Sequence, residues 1–379
     1  MIYLDNASTT KLDTDALNSM MPFLGDKFGN PSSIHQLGRT AKEKVNESRS
    51  IVSNGIRCKK NEIYFTSCGS ESNNSIIKGI VNNSCIPKKH VITTQIEHPS
   101  VLNTCKYLES KGVSITYLPV DKRGYISLSE LADRITNNTV LISVIFANNE
   151  IGTIQNIKAI SQIARNSGVI FHTDAVQAVC HVEIDVDELG IDAMSASSHK
   201  FNGPKGVGFT YLRNGITVEK FLHGGMQEYN MRAGTENVAG IIGTAIAFKN
   251  NIENLKQNQK ILMRLTKETI KMLSYSITDI MINGDPNNGL PGLLNFTVPN
   301  IESEVTMSFL DSLGICVSMG SACSNLHADK SHVLKAIGLS DKGINSSIRI
   351  SYGKSNTVED VTKLVEALKT LISKVHLHK

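Results

Sequence analysis

The sequence predicts an α/β protein: a large domain on a mostly parallel seven-stranded sheet, followed by a smaller α+β C-terminal domain. Three observations lead there. Strand-like runs alternate with helical patterns through the first two thirds of the chain, the signature of a parallel sheet with crossover helices. Several of the runs are continuously apolar, VLISVIF at 140–146 most clearly, as expected of strands buried on both faces. Composition then shifts near residue 250 to a long polar helical stretch. A length of 379 residues, at roughly 150 residues per domain, suits two or three domains.

The seven expected strands are Glu62–Thr66, His90–Thr94, Ser114–Pro119, Val140–Phe146, Val169–Asp174, Ala193–Ser197 and Gly206–Tyr211. Between them Gln36–Cys58 carries the mixed charge of a surface helix. Ser72–Asn82 sets Ile76, Ile77 and Ile80 on one side, and Ile157–Ser167 does the same with Ile157, Ile160, Ile163 and Ala164. Asn251–Tyr275 reads as one helix with Ile252, Leu255, Leu262, Leu265 and Met272 as its apolar stripe. The final helix is expected to start at an N-cap, Thr357, with Asp360 three residues on, and to bury Val361, Leu364, Leu368, Leu371 and Val375. The expected division is a large domain over 13–255, with 1–12 and 256–379 forming the small one.

Lys and Arg number 39 and Asp and Glu 35, leaving a dispersed net charge of +4. That excludes a nucleic-acid-binding tract and a polybasic membrane anchor. No apolar run approaches the roughly 18 residues of a membrane span, and the opening MIYLDNAS is not a signal sequence. The seven cysteines are odd in number and include no C-x-x-C pair, which argues against a zinc site or a disulfide framework. A cytoplasmic protein with mostly inert thiols is expected, and the question becomes whether one thiol is reactive.

In an open α/β sheet ligands bind beyond the carboxyl ends of the strands, and the unusual residues follow the strands here. Ser67-Cys68-Gly69-Ser70-Glu71-Ser72-Asn73 opens a helix with small and hydroxyl residues, a setting for a phosphate or simply an N-cap turn. Glu97-His98-Pro99-Ser100 fixes a histidine at a strand end, where it can stack on a ligand or stay structural. Asn148-Asn149-Glu150 offers amides that need partners. His172 and Asp174 share a face of their strand; they could chelate a metal, or Asp174 could pair with a cationic ring nitrogen or cap a helix. Ser197-Ser198-His199-Lys200 puts a lysine among small residues, where it can become the neutral amine of a Schiff base. Lys205 competes, but its Gly-Pro-Lys-Gly turn favours a solvated side chain. Gly320-Ser321-Ala322-Cys323-Ser324 surrounds a thiol with small residues, the setting of a reactive cysteine. Ser347–Ser351 carries a single arginine, Arg349, able to clamp a carboxylate. A lysine amine, an acid for a ring nitrogen and a phosphate turn are the three contacts of a pyridoxal phosphate site.

These residues, in this order, resemble the cysteine desulfurases of the NifS/IscS type, in the class V aminotransferase branch of fold-type I pyridoxal phosphate enzymes. The motifs span nearly the whole chain: YLDNASTT, FGNPSSIHQLG, TSCGSESNN, EHPSV, NNEIG, HTDAVQ, SSHKFNGPKGVG, HGGMQE, MRAGTEN, NGD, GSACSN, SHVLKAIG and SSIRISYG. The resemblance implies that Lys200 holds pyridoxal 5'-phosphate covalently. It implies that Asp174 pairs with the ring nitrogen, Gln177 with the phenolic oxygen, and that His98 stacks on the ring and moves protons. Gly69, Ser70, Ser197 and His199 would line the phosphate, with Thr235 reaching the phosphate of a partner subunit in a homodimer. Asn149, beside the cofactor, and Arg349 would hold the substrate carboxylate, and Cys323 would be the nucleophile that takes sulfur from L-cysteine as a persulfide, leaving L-alanine. The implied partner is a sulfur acceptor such as an iron–sulfur scaffold or a tRNA-thiolation enzyme. No resident metal is implied, Cys323 being at most a transient iron–sulfur ligand. Four departures from the family pattern stand out: SCGSES for SGATES, Ser198 for glycine, Met226 for glycine, and Lys354 for a second arginine. The competing readings are another fold-type I aminotransferase or lyase, which would not need Cys323, and a non-catalytic sulfur-delivery subunit.

Overall fold

A computed structural model of the chain describes residues 1–319 and 330–377. Its strands are β1 (Ile2–Tyr3), β2 (Ile63–Thr66), β3 (His90–Thr94), β4 (Ser114–Leu118), β5 (Thr139–Ser143), β6 (Ile170–Asp174), β7 (Ala193–Ser197), β8 (Gly208–Leu212), β9 (Met281–Asn283), β10 (Leu293–Thr297), β11 (Ile315–Cys316) and β12 (Ser347–Ser351). All seven expected runs enter one seven-stranded sheet of order β2-β8-β7-β6-β5-β3-β4. Five neighbours, β7-β6-β5-β3-β4, are parallel, and β8 runs against both its neighbours. The VLISVIF run leaves the sheet after Ser143, yet Val144 and Phe146 still donate to the His172 and Asp174 carbonyls, which keeps the β5 and β6 ends side by side. The apolar runs are buried on both faces as their composition requires: every residue of β3, β5 and β7 is buried.

A second set of elements builds on β12-β10-β9, an antiparallel sheet. Its core of Leu294, Phe296, Ile348, Ile350, Leu364 and Leu368 is separate from the core around the large sheet, where Phe171, Phe209 and Phe248 pack. Leu4 belongs to the smaller core and Ala7 to the larger, while β1 pairs in parallel with β11.

The long helix expected over 251–275 is two helices, Val238–Glu253 and Leu255–Ser276, broken at Asn254 (φ −104°, ψ 10°). The apolar stripe misled because it joins two faces. Asn251 donates to the carbonyls of Phe201 and Ala247 and holds the first helix to the large core, whereas Leu262 and Leu265 pack in the small one. The final helix runs Val358–Leu377, and the Asp360 carboxylate accepts the Thr357 N–H at 3.0 Å, as a capping acid does. Among the described residues no helix is long and apolar enough to cross a membrane.

Candidate active site

The carboxyl ends of the large sheet open into a cavity of about 240 Å³ that also reaches β12 of the small one. Strand β2 delivers the helix Gly69–Asn83, whose first residues, Gly69 and Ser70, line the cavity. Cys68 caps that helix, its Sγ accepting the Glu71 N–H. Gly69 is required by close approach: a Cβ there would stand 2.6 Å from Cγ2 of Val176. The result is a helix N-terminus, bare of side chain at its first residue, facing the cavity.

Asp174 ends β6 and is buried. Its Oδ1 accepts the Val176 N–H at 3.0 Å and its Oδ2 accepts Asn73 Nδ2 at 2.7 Å. The same Asn73 amide donates to Ser100 Oγ at 2.8 Å, and Ser100 Oγ lies 2.8 Å from Nδ1 of His98. The Ser100 backbone N–H donates to the same Nδ1 at 3.1 Å, so Nδ1 is an acceptor and the proton of the neutral His98 ring sits on Nε2. Burial holds the His98 ring below the ordinary histidine value, with the Asp174 charge opposing it. His98 also caps the helix Pro99–Glu109, with Pro99 in its first turn, which fixes the ring at the cavity wall.

Lys200 follows β7 in a short 3-10 turn. Its Nζ donates to the carbonyls of Ala7 at 2.6 Å and Ser8 at 2.8 Å. Gln177 donates to the Ala7 carbonyl as well, at 2.9 Å, so the N-terminal segment is the cavity's third wall. Beside Lys200, burial and the Lys200 charge push the His199 ring down to about 4, and His199 is neutral at neutral pH. Arg349 on β12 is 2 % exposed and donates to the Asn149 carbonyl, to Asp5 and to Ser8. An amine, a buried acid, an anion-binding helix end and an arginine fork therefore meet in one space.

The sequence matches the class-V aminotransferase family over residues 2–364. The chain belongs to that family. It is 44 % identical to the cysteine desulfurase IscS of Methanosarcina thermophila, over 99 % of this chain and 92 % of that one. Among solved structures it is similar to a NifS-like protein (TM-score 0.93, 36 % identity, 98 % and 99 % of the two chains). It is also similar to SspA solved in complex with cysteine (TM-score 0.83, 35 % identity, 93 % and 98 %). The fold is fold-type I, and the family depends on pyridoxal phosphate.

The residues present fit that cofactor. The helix end at Gly69, bare of side chain, would suit a phosphate, the Asp174 acid would suit a ring nitrogen, and the Lys200 amine that would hold the group stands in the same cavity. Gly69, Ser70, His98, Asn149, Asp174, Gln177, Ser197, His199, Lys200 and Arg349, each expected from the sequence, all line it. Thr235 does not: it is exposed and is not part of the cavity wall. Cys323 lies outside the described residues. The metal reading of His172 and Asp174 is overturned. His172 is fully buried, and its two nitrogens are engaged by Ser143 at 2.9 Å and Ser195 at 3.0 Å. Lys205 is exposed, as its turn implied. Ser198 points into the core, where its Oγ accepts Thr244 Oγ1 at 2.8 Å, so it adds no bulk at the cavity. Met226 is 79 % exposed and is not part of the cavity wall. Lys354 pairs with Asp13 at 2.9 Å. Sequence reasoning missed Asn73, Ser100 and Asp5. All three stand inside motifs already noted, but only their hydrogen bonds reveal them.

Proposed function

We infer that this protein is a cysteine desulfurase, which removes sulfur from L-cysteine and leaves L-alanine. The observation that carries the reading is the convergence of Lys200, Asp174 and the Gly69–Ser70 helix end in one cavity with Arg349, in a chain similar along its length to cysteine desulfurases. Pyridoxal phosphate supplies the electron sink that stabilises negative charge at the substrate's α-carbon. The chain's own residues do the rest. Lys200 holds the cofactor, and Asp174, kept in place by Asn73 and the Val176 N–H, orients its ring and supports the sink. His98, aligned by Ser100, carries a proton on Nε2 at the cavity wall. Arg349 and Asn149 hold the α-carboxylate. Cys323, as thiolate, attacks the substrate sulfur: its S–S bond forms as the substrate C–S bond breaks, and the α-amino acid remainder takes up protons to become alanine. The persulfide sulfur then passes to an acceptor, an iron–sulfur scaffold or a tRNA-thiolation enzyme.

Two copies form the working unit. Thr235, exposed and outside the wall of this chain's own cavity, is suited to reach the phosphate site of its partner. The six described cysteines are free thiols, which supports a reducing cytoplasm.

Substituting Cys323 by alanine tests the reading. The C323A protein should retain cofactor, seen as an unchanged visible absorption, and release no sulfide from L-cysteine in the presence of a dithiol. Release at the wild-type rate would show a reaction that does not need the thiol, as an aminotransferase or lyase would give.

A further inference from the structure

Arg349 meets an acid of its own chain before any substrate arrives. Its Nη2 donates to Asp5 Oδ1 at 2.8 Å and to Ser8 Oγ at 2.7 Å, and its Nη1 donates to the Asn149 carbonyl at 2.8 Å. The Ser8 hydroxyl donates to the same Asp5 oxygen at 2.8 Å. The Nε–H of Arg349 is buried and has no partner among the described residues. Asp5 is held there by backbone on both sides. Leu4 donates to the Cys316 carbonyl and Asn6 to the Ser351 carbonyl, while Ser351 donates back to Leu4. Strand pairing to β12 thus fixes an acid opposite the arginine of that strand.

We propose that Asp5 is a specificity-determining residue of the carboxylate subsite. It neutralises Arg349 in advance, so the guanidinium selects an α-carboxylate by the direction of its remaining donors and not by unscreened positive charge. A second carboxylate sharing one guanidinium is repelled by the first in a partly desolvated site. Affinity for carboxylates is held down and release of the product amino acid is favoured. A buried guanidinium stripped of its acid is, in turn, an uncompensated charge. The inference rests on the reading that Arg349 binds the substrate carboxylate.

Asp5→Asn keeps the acceptor oxygen and removes the charge. The test titrates wild-type, D5N and R349Q holoenzymes calorimetrically with L-alanine and with L-alaninamide, which has the amine but no carboxylate. D5N should bind L-alanine about tenfold more tightly and L-alaninamide as the wild type does. The thermal midpoint of the D5N holoenzyme should fall by several degrees, and the D5N/R349Q double variant should regain most of that loss. Equal changes for the two ligands, or additive losses in the double variant, would make Asp5 a purely structural residue and overturn the proposal. Unaltered L-alanine binding in R349Q would sink the carboxylate role of Arg349, and the Asp5 proposal with it; weakened binding in R349Q with no selective gain in D5N would sink the Asp5 proposal alone.

Discussion

Histidines show how much one side chain's role depends on what its nitrogens touch. His98, His172, His181 and His199 are all held below the ordinary histidine value, burial being the largest cause in each. From sequence His172 had the same standing as His98, since both follow or end strands. The structure separates them, because His172 is satisfied by Ser143 and Ser195 in the sheet interior and has no face toward the cavity. Burial pushes His172 from 6.5 down to about 3. The folded form therefore excludes a proton that the unfolded form accepts, so stability falls as pH drops from 6.5 toward 3 and is unaffected by this group above that window. The His172→Asn variant should lose less stability on acidification than the wild type. Thermal midpoints measured from pH 7 to pH 5 would show the shallower slope, and parallel slopes would place the acid sensitivity elsewhere. Cysteines sort by the same logic. Burial pushes Cys58 and Cys105 up to about 12 and raises Cys180, which makes these thiols inert; Cys85 is exposed. Apolar neighbours in sequence were a sound guide for Cys180.

One segment was not legible as an element at all. Around Met226 the chain has Glu228, Tyr229 and Asn230 in succession at positive φ (48°, 54° and 66°), a conformation that non-glycine residues adopt at a cost. An ion pair holds them. Glu228 accepts from Arg49 through both carboxylate oxygens, at 2.6 and 2.7 Å, and from the Phe65 N–H at 2.7 Å. Arg49 also lies over the rings of Phe65 and Tyr229. Both charged side chains are under 5 % exposed. Removing one partner of such a pair costs ~3–5 kcal/mol because the other is left buried and unpaired. Glu228→Ala should lower the thermal midpoint accordingly and open the stretch around residues 224–236 to limited proteolysis. An unchanged digestion pattern would show that the strained turn is held by something else. In a homodimer this stretch would also carry Thr235, so weaker dimerisation on gel filtration should accompany the loss. The strands are legible because buried parallel strands announce themselves as apolar runs, Lys200 and Asp174 because strand ends are where ligands bind, and Arg349 because it is the single arginine of an alternating strand. Sequence reasoning could not find Arg49–Glu228, since 179 residues separate the partners and neither sits in an apolar pattern. The Asn254 break escaped for a related reason: a stripe that changes face looks continuous when it is read only as spacing.

At the scale of the molecule, the first eight residues join what the two cores divide. Strand β1 pairs with β11 and Leu4 fills the small core, while Ala7 lies in the large one. Between these anchors the segment offers its carbonyls to Lys200 and Gln177 and its acid to Arg349. Lys200, proposed to hold the cofactor, and Arg349, proposed to hold the substrate carboxylate, come from different sheets, and their common neighbour is this short stretch of backbone. Two carbonyls of this segment accept from Lys200 Nζ at 2.6 and 2.8 Å, so the segment fixes where the Lys200 amine sits. A chain lacking residues 1–8 keeps nearly all of both cores but loses this link. It should retain a near-wild-type far-ultraviolet circular dichroism spectrum, have a lower thermal midpoint, and lose most of its cofactor on dialysis that leaves the full-length protein loaded. Retention of cofactor by the folded, shortened chain would mean that Asp174 and the Gly69–Ser70 helix end suffice to hold it. In that case the N-terminal segment would serve the carboxylate subsite alone, through Asp5 and Ser8.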